Sequence, residues 1–319
     1  MIRLYAAGGA VAVVENGTIE LALEGRGAQC LAVDPRDPDV VYAGTSAEGM
    51  YRSRDGGSSW EELSGIEHPR VTAVAVSPAD GAVYAGTEPS SLFVSRDGGA
   101  SWRELDGLKN LPSAPTWSFP PRPWTSHVRA IAPGHSDADL VVAGIELGGV
   151  VRSSDGGETW QDQRPGAYPD CHSLSGHPST PDAFYEAAGG GFAESDDGGE
   201  SWASEDEGIE RRYVWGLAVD REDPGLLYVS AASGPGAAHG PGFSDAAIYR
   251  RRGPGEQWEP VLEEMAEFPY ALVAHPEISG ALYAGLGDGT ILRSPDAGES
   301  WGEVARVPKS LSALTAVVV

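Results

Sequence analysis

An eight-residue motif recurs along the chain, and its spacing constrains the fold more than any other sequence feature. The motif reads Ser-x-Asp-x-Gly-x-Ser/Thr-Trp at residues 53–60, 95–102, 153–160, 195–202 and 294–301. A worn copy at residues 251–258 keeps Gly255 and Trp258. The steps between the motif tryptophans are 42, 58, 42, 56 and 43 residues. A basic unit of about 42 residues is the period of a four-stranded propeller blade.

Each unit divides into short apolar runs separated by turn residues. In the second unit the runs are residues 71–76, 82–87 and 91–95, and a fourth begins at Ser101 and Trp102. Short β-branched and aromatic runs between Gly, Pro and Asp clusters predict strands. The sequence therefore predicts an all-β protein of four-stranded blades.

The motif itself has a structural explanation. An aspartate can accept hydrogen bonds from the backbone of its own turn, while the glycines supply positive φ. We therefore assign the motif aspartates a structural role rather than a catalytic one. These residues are Asp55, Asp97, Asp155, Asp197 and Asp296.

The motif resembles the Asp-box, or BNR, repeat of sialidase-like β-propellers. Five good copies and one degraded copy in register cover residues 53–301. Families with this repeat include sialidases, xyloglucan-degrading glycoside hydrolases, sortilin-type receptors and photosystem II assembly factors, along with uncharacterised members labelled glycosyl-hydrolase-like. The resemblance implies a propeller in which the repeat marks the fold and lies away from any active site.

The two ends of the chain supply a seventh blade. Residues 314–319 match a first strand, and three further strands fit within residues 4–25. Pairing them closes the ring and leaves no free sheet edge. We predict one seven-bladed domain over residues 1–319, a monomer, with insertions at about 111–126 and 233–245 on one face.

Composition excludes several classes of partner. The 47 acidic residues against 22 basic ones give a net charge of −25, which repels nucleic acid and anionic lipid. No apolar run reaches the length of a membrane helix, and the N-terminus lacks a signal-peptide pattern. We therefore expect a cytoplasmic protein that contacts neither. Cys30 and Cys171 fall on different blades, which predicts free, buried thiols.

Aligned first strands concentrate polar and aromatic residues at one mouth of the central channel. The second residue of each strand, the pocket position, reads Gln29, Thr72, Arg129, His172, Trp215, Tyr270 and Thr315. Two residues earlier, on the same face by strand alternation, the sequence reads Gly27, Arg70, His127, Asp170, Tyr213, Phe268 and Ala313. Glu146 and Trp124 come from loops expected at this mouth. Convergence of such groups on a concave surface predicts a binding site. The alternative is that they only fill the channel.

The predicted site supports several chemistries. A sialidase would combine a tyrosine nucleophile, Tyr213 or Tyr270, with Glu146 and with Arg70 and Arg129 for the substrate carboxylate. The Arg-Ile-Pro segment typical of sialidases is absent, and those enzymes resemble six-bladed propellers. A xyloglucan-type hydrolase would need two opposed carboxylates, for which Asp170 and Glu146 are the candidates, although such enzymes pair two propellers.

A divalent metal is a further hypothesis. His127 and His172 with Asp170, joined by Glu146 or His239, offer nitrogen and oxygen ligands. In a catalytic site His127 or His172 would act as base or metal ligand. Arg129, Arg70, Trp215, Tyr270 and Trp124 would contact the substrate.

We therefore expect a ligand or substrate pocket at this mouth, with hydrolase or lyase chemistry as one outcome. The alternative is a non-catalytic binding or assembly scaffold that recognises a sugar, peptide or protein.

Overall fold

The computed structural model describes residues 1–240, 242–308 and 310–319, and within them the chain forms seven antiparallel sheets arranged as the blades of a propeller. Pro241, inside the predicted insertion at 233–245, lies outside the described residues. The all-β, seven-bladed prediction is confirmed. No helix in the described ranges is long and apolar enough to cross a bilayer.

We number blades 1 to 6 from the first internal sheet and call the sheet formed by both chain ends blade 7. In chain order the strands are β1 (Ile2–Ala7), β2 (Val11–Glu15) and β3 (Thr18–Ala22) in blade 7; β4 (Ala28–Asp34), β5 (Asp37–Thr45), β6 (Met50–Ser53) and β7 (Glu61–Leu63) in blade 1; β8 (Arg70–Val76), β9 (Val83–Glu88), β10 (Leu92–Ser95) and β11 (Arg103–Glu104) in blade 2; β12 (Val128–Pro133), β13 (Val141–Ile145) and β14 (Gly149–Ser153) in blade 3; β15 (Cys171–Gly176), β16 (Phe184–Ala188), β17 (Gly191–Ser195) and β18 (Ala203–Ser204) in blade 4; β19 (Tyr213–Val219), β20 (Leu227–Ala232), β21 (Ala246–Arg251) and β22 (Glu259–Met265) in blade 5; β23 (Pro269–Ala274), β24 (Leu282–Leu286), β25 (Thr290–Ser294) and β26 (Gly302–Arg306) in blade 6; and β27 (Ala313–Val318) in blade 7.

Blades 1 to 6 are built outward from the channel in chain order, whereas in blade 7 the last strand of the chain, β27, is innermost and is followed by β1, β2 and β3. In blade 3 the fourth strand is reduced to a bridge between Arg152 and Gln161. A 3-10 helix, Asp106–Asn110, precedes the first insertion. A second 3-10 helix, Ala114–Thr116, lies within it, and the second insertion carries one short helix, α1 (Pro235–His239). Because neighbouring strands are antiparallel, the starts of the first strands and the second-to-third turns share one face. The first-to-second turns and the repeated motifs share the other.

The ring closes as the sequence predicts. Strand β27 pairs with β1 from Ile2 opposite Val318 to Ala7 opposite Ala313, and β2 and β3 complete the blade. The contact buries Leu4 and Ala6 in an apolar cluster against which Ala316 packs. Closure therefore provides both ladder hydrogen bonds and core packing.

Within the intact copies of the motif, both carboxylate oxygens of each aspartate accept hydrogen bonds from residues of the same turn. In the first copy Asp55 Oδ1 accepts from Ser53 Oγ at 2.8 Å and from the Ser59 backbone N–H at 2.8 Å, while Oδ2 accepts from Ser59 Oγ at 2.6 Å. The same pattern recurs at the other four aspartates. Hydrogen bonds from Ser59 and Ser53 lower the pKa of the Asp55 carboxyl below its ordinary value. These aspartates organise turns and have no oxygen directed at the channel.

Candidate functional site at the channel mouth

A bulge in the first strand places the pocket-position residues of blades 1 to 6. In each of these blades the strand register shifts at that residue, as between Val71 and Ala73 around Thr72. The extra residue has no partner in the ladder. The six bulge residues all line a channel cavity of about 290 Å³. They are Gln29, Thr72, Arg129, His172, Trp215 and Tyr270.

Blade 7 departs from the sequence alignment. Ser312 lines the channel there, and Thr315 instead pairs with Tyr5 within the sheet. The Ser312 hydroxyl donates to the carbonyls of Ala7 and Gln29 at 3.1 Å each. The predicted assignment of Thr315 to the pocket position was wrong by three residues.

The first polar contact at the mouth lies in blade 3, between the residue that precedes β12 and the residue that follows β13. His127 Nε2 lies 3.0 Å from Glu146 Oε2, and Arg129 Nε lies 3.9 Å from the same oxygen. Both His127 and Glu146 are buried. Burial acts to raise the pKa of Glu146, but the hydrogen bond from His127 and the charge of Arg129 outweigh it and lower that pKa. Glu146 is therefore an ionised carboxylate at neutral pH.

His172 is held between two blades. Its Nδ1 lies 2.6 Å from the carbonyl oxygen of Val214 in blade 5, so Nδ1 must donate, because a carbonyl only accepts. Its Nε2 lies 3.5 Å from Asp170 Oδ2. The side chain is fully buried, and its ring packs 4.3 Å, centroid to centroid, from that of Trp215. His172 thus joins the blades as well as lining the site.

An ordered chain of hydrogen bonds crosses the aromatic side of the mouth. Tyr270 donates to the Ala238 carbonyl at 3.1 Å, and its oxygen lies 3.0 Å from His239 Nδ1. His239 Nδ1 therefore donates to Tyr270, and its Nε2, 2.8 Å from the Tyr213 hydroxyl, accepts from Tyr213. Burial raises the pKa of Tyr213, and burial with repulsion from His172 and Arg129 lowers that of His239. Tyr213 is accordingly a protonated donor, which disfavours it as a nucleophile.

Arg129 differs from the other polar groups of the mouth. Its guanidinium carbon lies 4.4 Å from the Trp215 ring centroid, which is a cation–π contact. Across the described chain it donates no hydrogen bond, and Glu146 at 3.9 Å is its nearest ion-pair partner. The guanidinium therefore presents unused donors beside a flat aromatic surface within the channel.

Eight of the ten predicted catalytic and binding residues contact one another at the mouth, either directly or through His239. They are His127, Arg129, Glu146, Asp170, His172, Tyr213, Trp215 and Tyr270. The other two lie apart. Arg70 pairs with Glu88 at 3.6 Å, and Glu88 also accepts two hydrogen bonds from Arg122 of the first insertion, at 2.7 and 2.6 Å. Trp124 is 81% exposed.

The sequence named His239 only as a possible metal ligand. In the structure α1 carries it onto the aromatic cluster, with its ring 4.7 Å from that of Trp215. Two further aromatic residues belong to the site. Phe268, which the aligned first strands already place at this mouth, packs 5.0 Å from Tyr270, and Phe119 of the first insertion packs 4.7 Å from His127. For Phe119, its place within the first insertion was the available signal.

The metal hypothesis gains no geometric support. In the portion of the chain that the structure describes, no three His, Cys, Asp or Glu side chains lie close enough together to hold a metal ion. His127 faces Glu146 and His172 faces Asp170, so the two histidines have separate partners. Cys30 and Cys171 are free and buried, as predicted, and burial raises the pKa of the Cys30 thiol to about 12.

The fold is that of several solved propellers. An ancestral GH74 enzyme superposes with a TM-score of 0.67 at 18% identity over 98% of this chain and 39% of that one. The GH74 xyloglucanase from Xanthomonas campestris gives 0.67 at 17% identity over 95% and 46%. YCF48 bound to D1 peptide gives 0.63 at 17% identity over 89% and 85%.

These similarities define the chain as a seven-bladed β-propeller and show the fold alone. The chain spans less than half of the two GH74 enzymes. No protein-family profile and no curated protein matches its sequence.

Proposed function

We propose that this propeller is a binding protein whose channel mouth takes a ligand bearing a carboxylate group. The observation that carries the proposal is Arg129, a guanidinium stacked on Trp215 whose donors no described protein group accepts. Arginine binds a carboxylate through two parallel hydrogen bonds. The aromatic surface beside it suits a flat or apolar portion of the same ligand.

Two observations favour binding over catalysis. The Tyr213 hydroxyl donates to His239, His239 donates to Tyr270, and Tyr270 donates to the Ala238 carbonyl. This chain of hydrogen bonds holds the aromatic side chains in one arrangement. One of the neighbours that this chain matches over most of both lengths is YCF48, solved with D1 peptide. We infer that a peptide carboxylate is the ligand, and that the repeated motif is of the Asp-box type.

Hydrolysis is the second candidate, favoured by the two carboxylate–histidine pairs at one mouth. Glu146 with His127 and Asp170 with His172 provide two acidic groups on neighbouring blades. Turnover of a xyloglucan oligosaccharide that Glu146→Gln and Asp170→Asn abolish, with melting unchanged, would favour this candidate over binding alone.

Calorimetric titration with a carboxylate panel tests the binding proposal. The panel holds short peptides with free or amidated C-termini and a sugar acid, measured on wild-type protein and on Arg129→Gln. A charged hydrogen bond is worth about 1.5–3 kcal/mol, so the variant should bind at least about tenfold more weakly. Arg221→Gln is the control, because Arg221 lines the opposite end of the channel. Equal affinity of wild type and Arg129→Gln would refute the proposal.

A further inference from the structure

An arginine with two partners joins neighbouring blades at three seams of the ring. In blades 1, 3 and 5 it stands immediately before the motif. It donates to a backbone carbonyl in the motif of the next blade and to the side chain opposite it in its own blade. The pairs with the next blade are Arg52 with Gly98, Arg152 with Gly198 and Arg250 with Ala297, and the partners in the same blade are Glu61, Gln161 and Glu259.

Blade 6 has Arg293 at the same position but neither kind of partner. The residue opposite it is Gly302, which has no side-chain acceptor. Blade 7 has no copy of the motif, because the turn Asn16–Gly17 joins β2 directly to β3. Within residues 1–240, 242–308 and 310–319, Arg293 forms no ion pair and donates to no backbone carbonyl, and its Nε is buried without a partner. Nη1 and Nη2 are not buried, and Arg293 lines a cavity at this seam.

His275 supplies a second donor to the same seam. In blade 4 the equivalent His177 has its Nε2 2.8 Å from the Asp220 carbonyl of blade 5. The Nδ1 of His275 accepts from two backbone N–H groups of its own turn at 3.1 Å each, so the proton of the neutral ring is on Nε2. Burial and the charge of Arg293 lower the pKa of His275, so the ring is neutral at neutral pH. In the described chain this Nε2 has no acceptor, and His275 lines the same cavity.

The cavity between blades 6 and 7 has a volume of about 320 Å³ and lies on the face opposite the channel mouth. Its volume is at the lower end of small-molecule sites. A Cβ atom on Gly17 would meet no atom within 4 Å, so the cavity is open beside the turn. Among the wall residues that the structure describes none is Asp or Glu, although the chain has a net charge of −25. The aliphatic walls are Ile2, Leu4, Val14 and Val304.

These walls and donors select among ligand classes. A carboxylate offers two oxygens to a guanidinium in parallel hydrogen bonds, and the acceptors of the equivalent arginines are also oxygens. A cation is repelled by Arg293, and a neutral apolar ligand leaves both donors without an acceptor. Inorganic phosphate leaves the aliphatic walls without an apolar partner. A carboxylate with an aliphatic chain satisfies the donors and the walls together.

We propose that the cavity between blades 6 and 7 binds a small organic acid, a carboxylate that carries an aliphatic chain. Arg293 and the Nε2 of His275 donate to the carboxylate oxygens, and the chain packs against the aliphatic walls. This site lies opposite the channel mouth and goes beyond the function proposed for the mouth.

A chemical-shift titration of ¹⁵N-labelled protein with hexanoate tests the proposal, with the amide of Gly17 as the reporter of this cavity. Hexanamide has the same chain without the charge, hexylamine has the opposite charge, acetate lacks the chain, and phosphate is an anion without carbon. These comparisons use the wild-type protein alone.

Four variants locate the site. Arg293→Gln removes the charged fork. His275→Asn removes the distal N–H, while the asparagine oxygen can still accept from the backbone of the turn. Val304→Trp fills the cavity from a position that is 43% exposed, and Leu21→Trp is its control, because Leu21 is exposed on β3 and does not line the cavity. Arg129→Gln reports on the channel mouth.

Hexanoate should shift the Gly17 amide saturably, with affinity at least about tenfold weaker in Arg293→Gln and in Val304→Trp, and weaker also in His275→Asn. Leu21→Trp and Arg129→Gln should bind it as wild type does. Hexanamide and acetate should each bind at least about tenfold more weakly than hexanoate. No saturable shift, binding of hexanamide or phosphate as tight as that of hexanoate, or equal binding by folded Arg293→Gln would overturn the proposal.

Discussion

The bulge residue of the first strand has one role in blades 1 and 2, on one side of the channel, and a different role in blade 3, on the other side. In blades 1 and 2 the bulge residue bonds to the next blade: Gln29 Nε2 donates to the Val71 carbonyl and Thr72 Oγ1 to the Val128 carbonyl, each at 2.7 Å. In blade 3 the equivalent Arg129 makes no such bond within the described chain. The bulge residue therefore either bonds to a backbone carbonyl of the next blade or leaves its side chain available in the channel.

His172 in blade 4 combines both uses, because one ring nitrogen bonds to blade 5 and the other faces Asp170. The residues on the two sides should consequently respond differently to substitution. Changes in blades 7, 1 and 2 should affect stability, and changes at Arg129 should affect ligand affinity.

Removing residues 316–319 should have the largest effect, because it opens the ring at blade 7, next to the blades whose bulge residues bond to their neighbours. The deletion removes half of the β27 pairing with β1 and uncovers the cluster around Leu4. We expect calorimetry to show a melting temperature more than about 10 °C lower, or loss of cooperative unfolding. Deleting Val319 alone is the control, since it lies beyond β27. Unchanged melting of the longer deletion would contradict ring closure by this strand.

Thr72→Val should have the next largest effect and compares the two sides directly. The change removes the hydroxyl and leaves the Val128 carbonyl without this donor, which should lower the free energy of unfolding by about 1–3 kcal/mol in urea titrations. Thr72→Ser retains the donor and should be closer to wild type. Arg129→Met loses the cation–π contact with Trp215 and the 3.9 Å ion pair with Glu146 but leaves no backbone carbonyl without its donor, so it should lower the free energy of unfolding by less than Thr72→Val does. A larger loss from Arg129→Met than from Thr72→Val would reverse the assigned roles.

The pH response of His239 should be the smallest effect. Its pKa is lowered from 6.5 in the folded protein, so the unfolded chain binds the proton first. The contribution of His239 to stability is therefore fully present above about pH 6.5 and falls as the solution is acidified below it. His135, His177 and His275 also have lowered pKa values. His239→Gln should reduce, not abolish, the loss of melting temperature between pH 7.5 and 5.5. Identical slopes would show that His239 is not held neutral.

The repeat made the ring and its closure predictable. Each copy of the motif forms its own turn, and the short apolar runs within each unit of about 42 residues match the four strands of a blade. The pocket positions were predictable for blades 1 to 6 because each first strand carries the same bulge. Blade 7 was misaligned because the apolar run 314–319 was matched to the other first strands, whereas the distance from the preceding motif points to Ser312: it lies 11 residues after Trp301, close to the 12 residues from Trp60 to Thr72.

Side-chain pairing was less predictable. Arg70 matches Arg129 in type and in its place near the strand start, but Glu88 on the next strand and Arg122 in the insertion form a separate ionic cluster with it. His239 reaches the site because α1 folds over blade 5, a path that no periodicity records. The sequence contains these residues, but their partners depend on how the insertions pack.

A crystal structure of the protein with the tightest-binding carboxylate of the panel tests the central claim most directly. The account predicts a carboxylate with both oxygens about 2.7–2.9 Å from Arg129 nitrogens, and the remainder of the ligand against the aromatic side of the mouth. A carboxylate bound elsewhere, with Arg129 still without a partner, would contradict it.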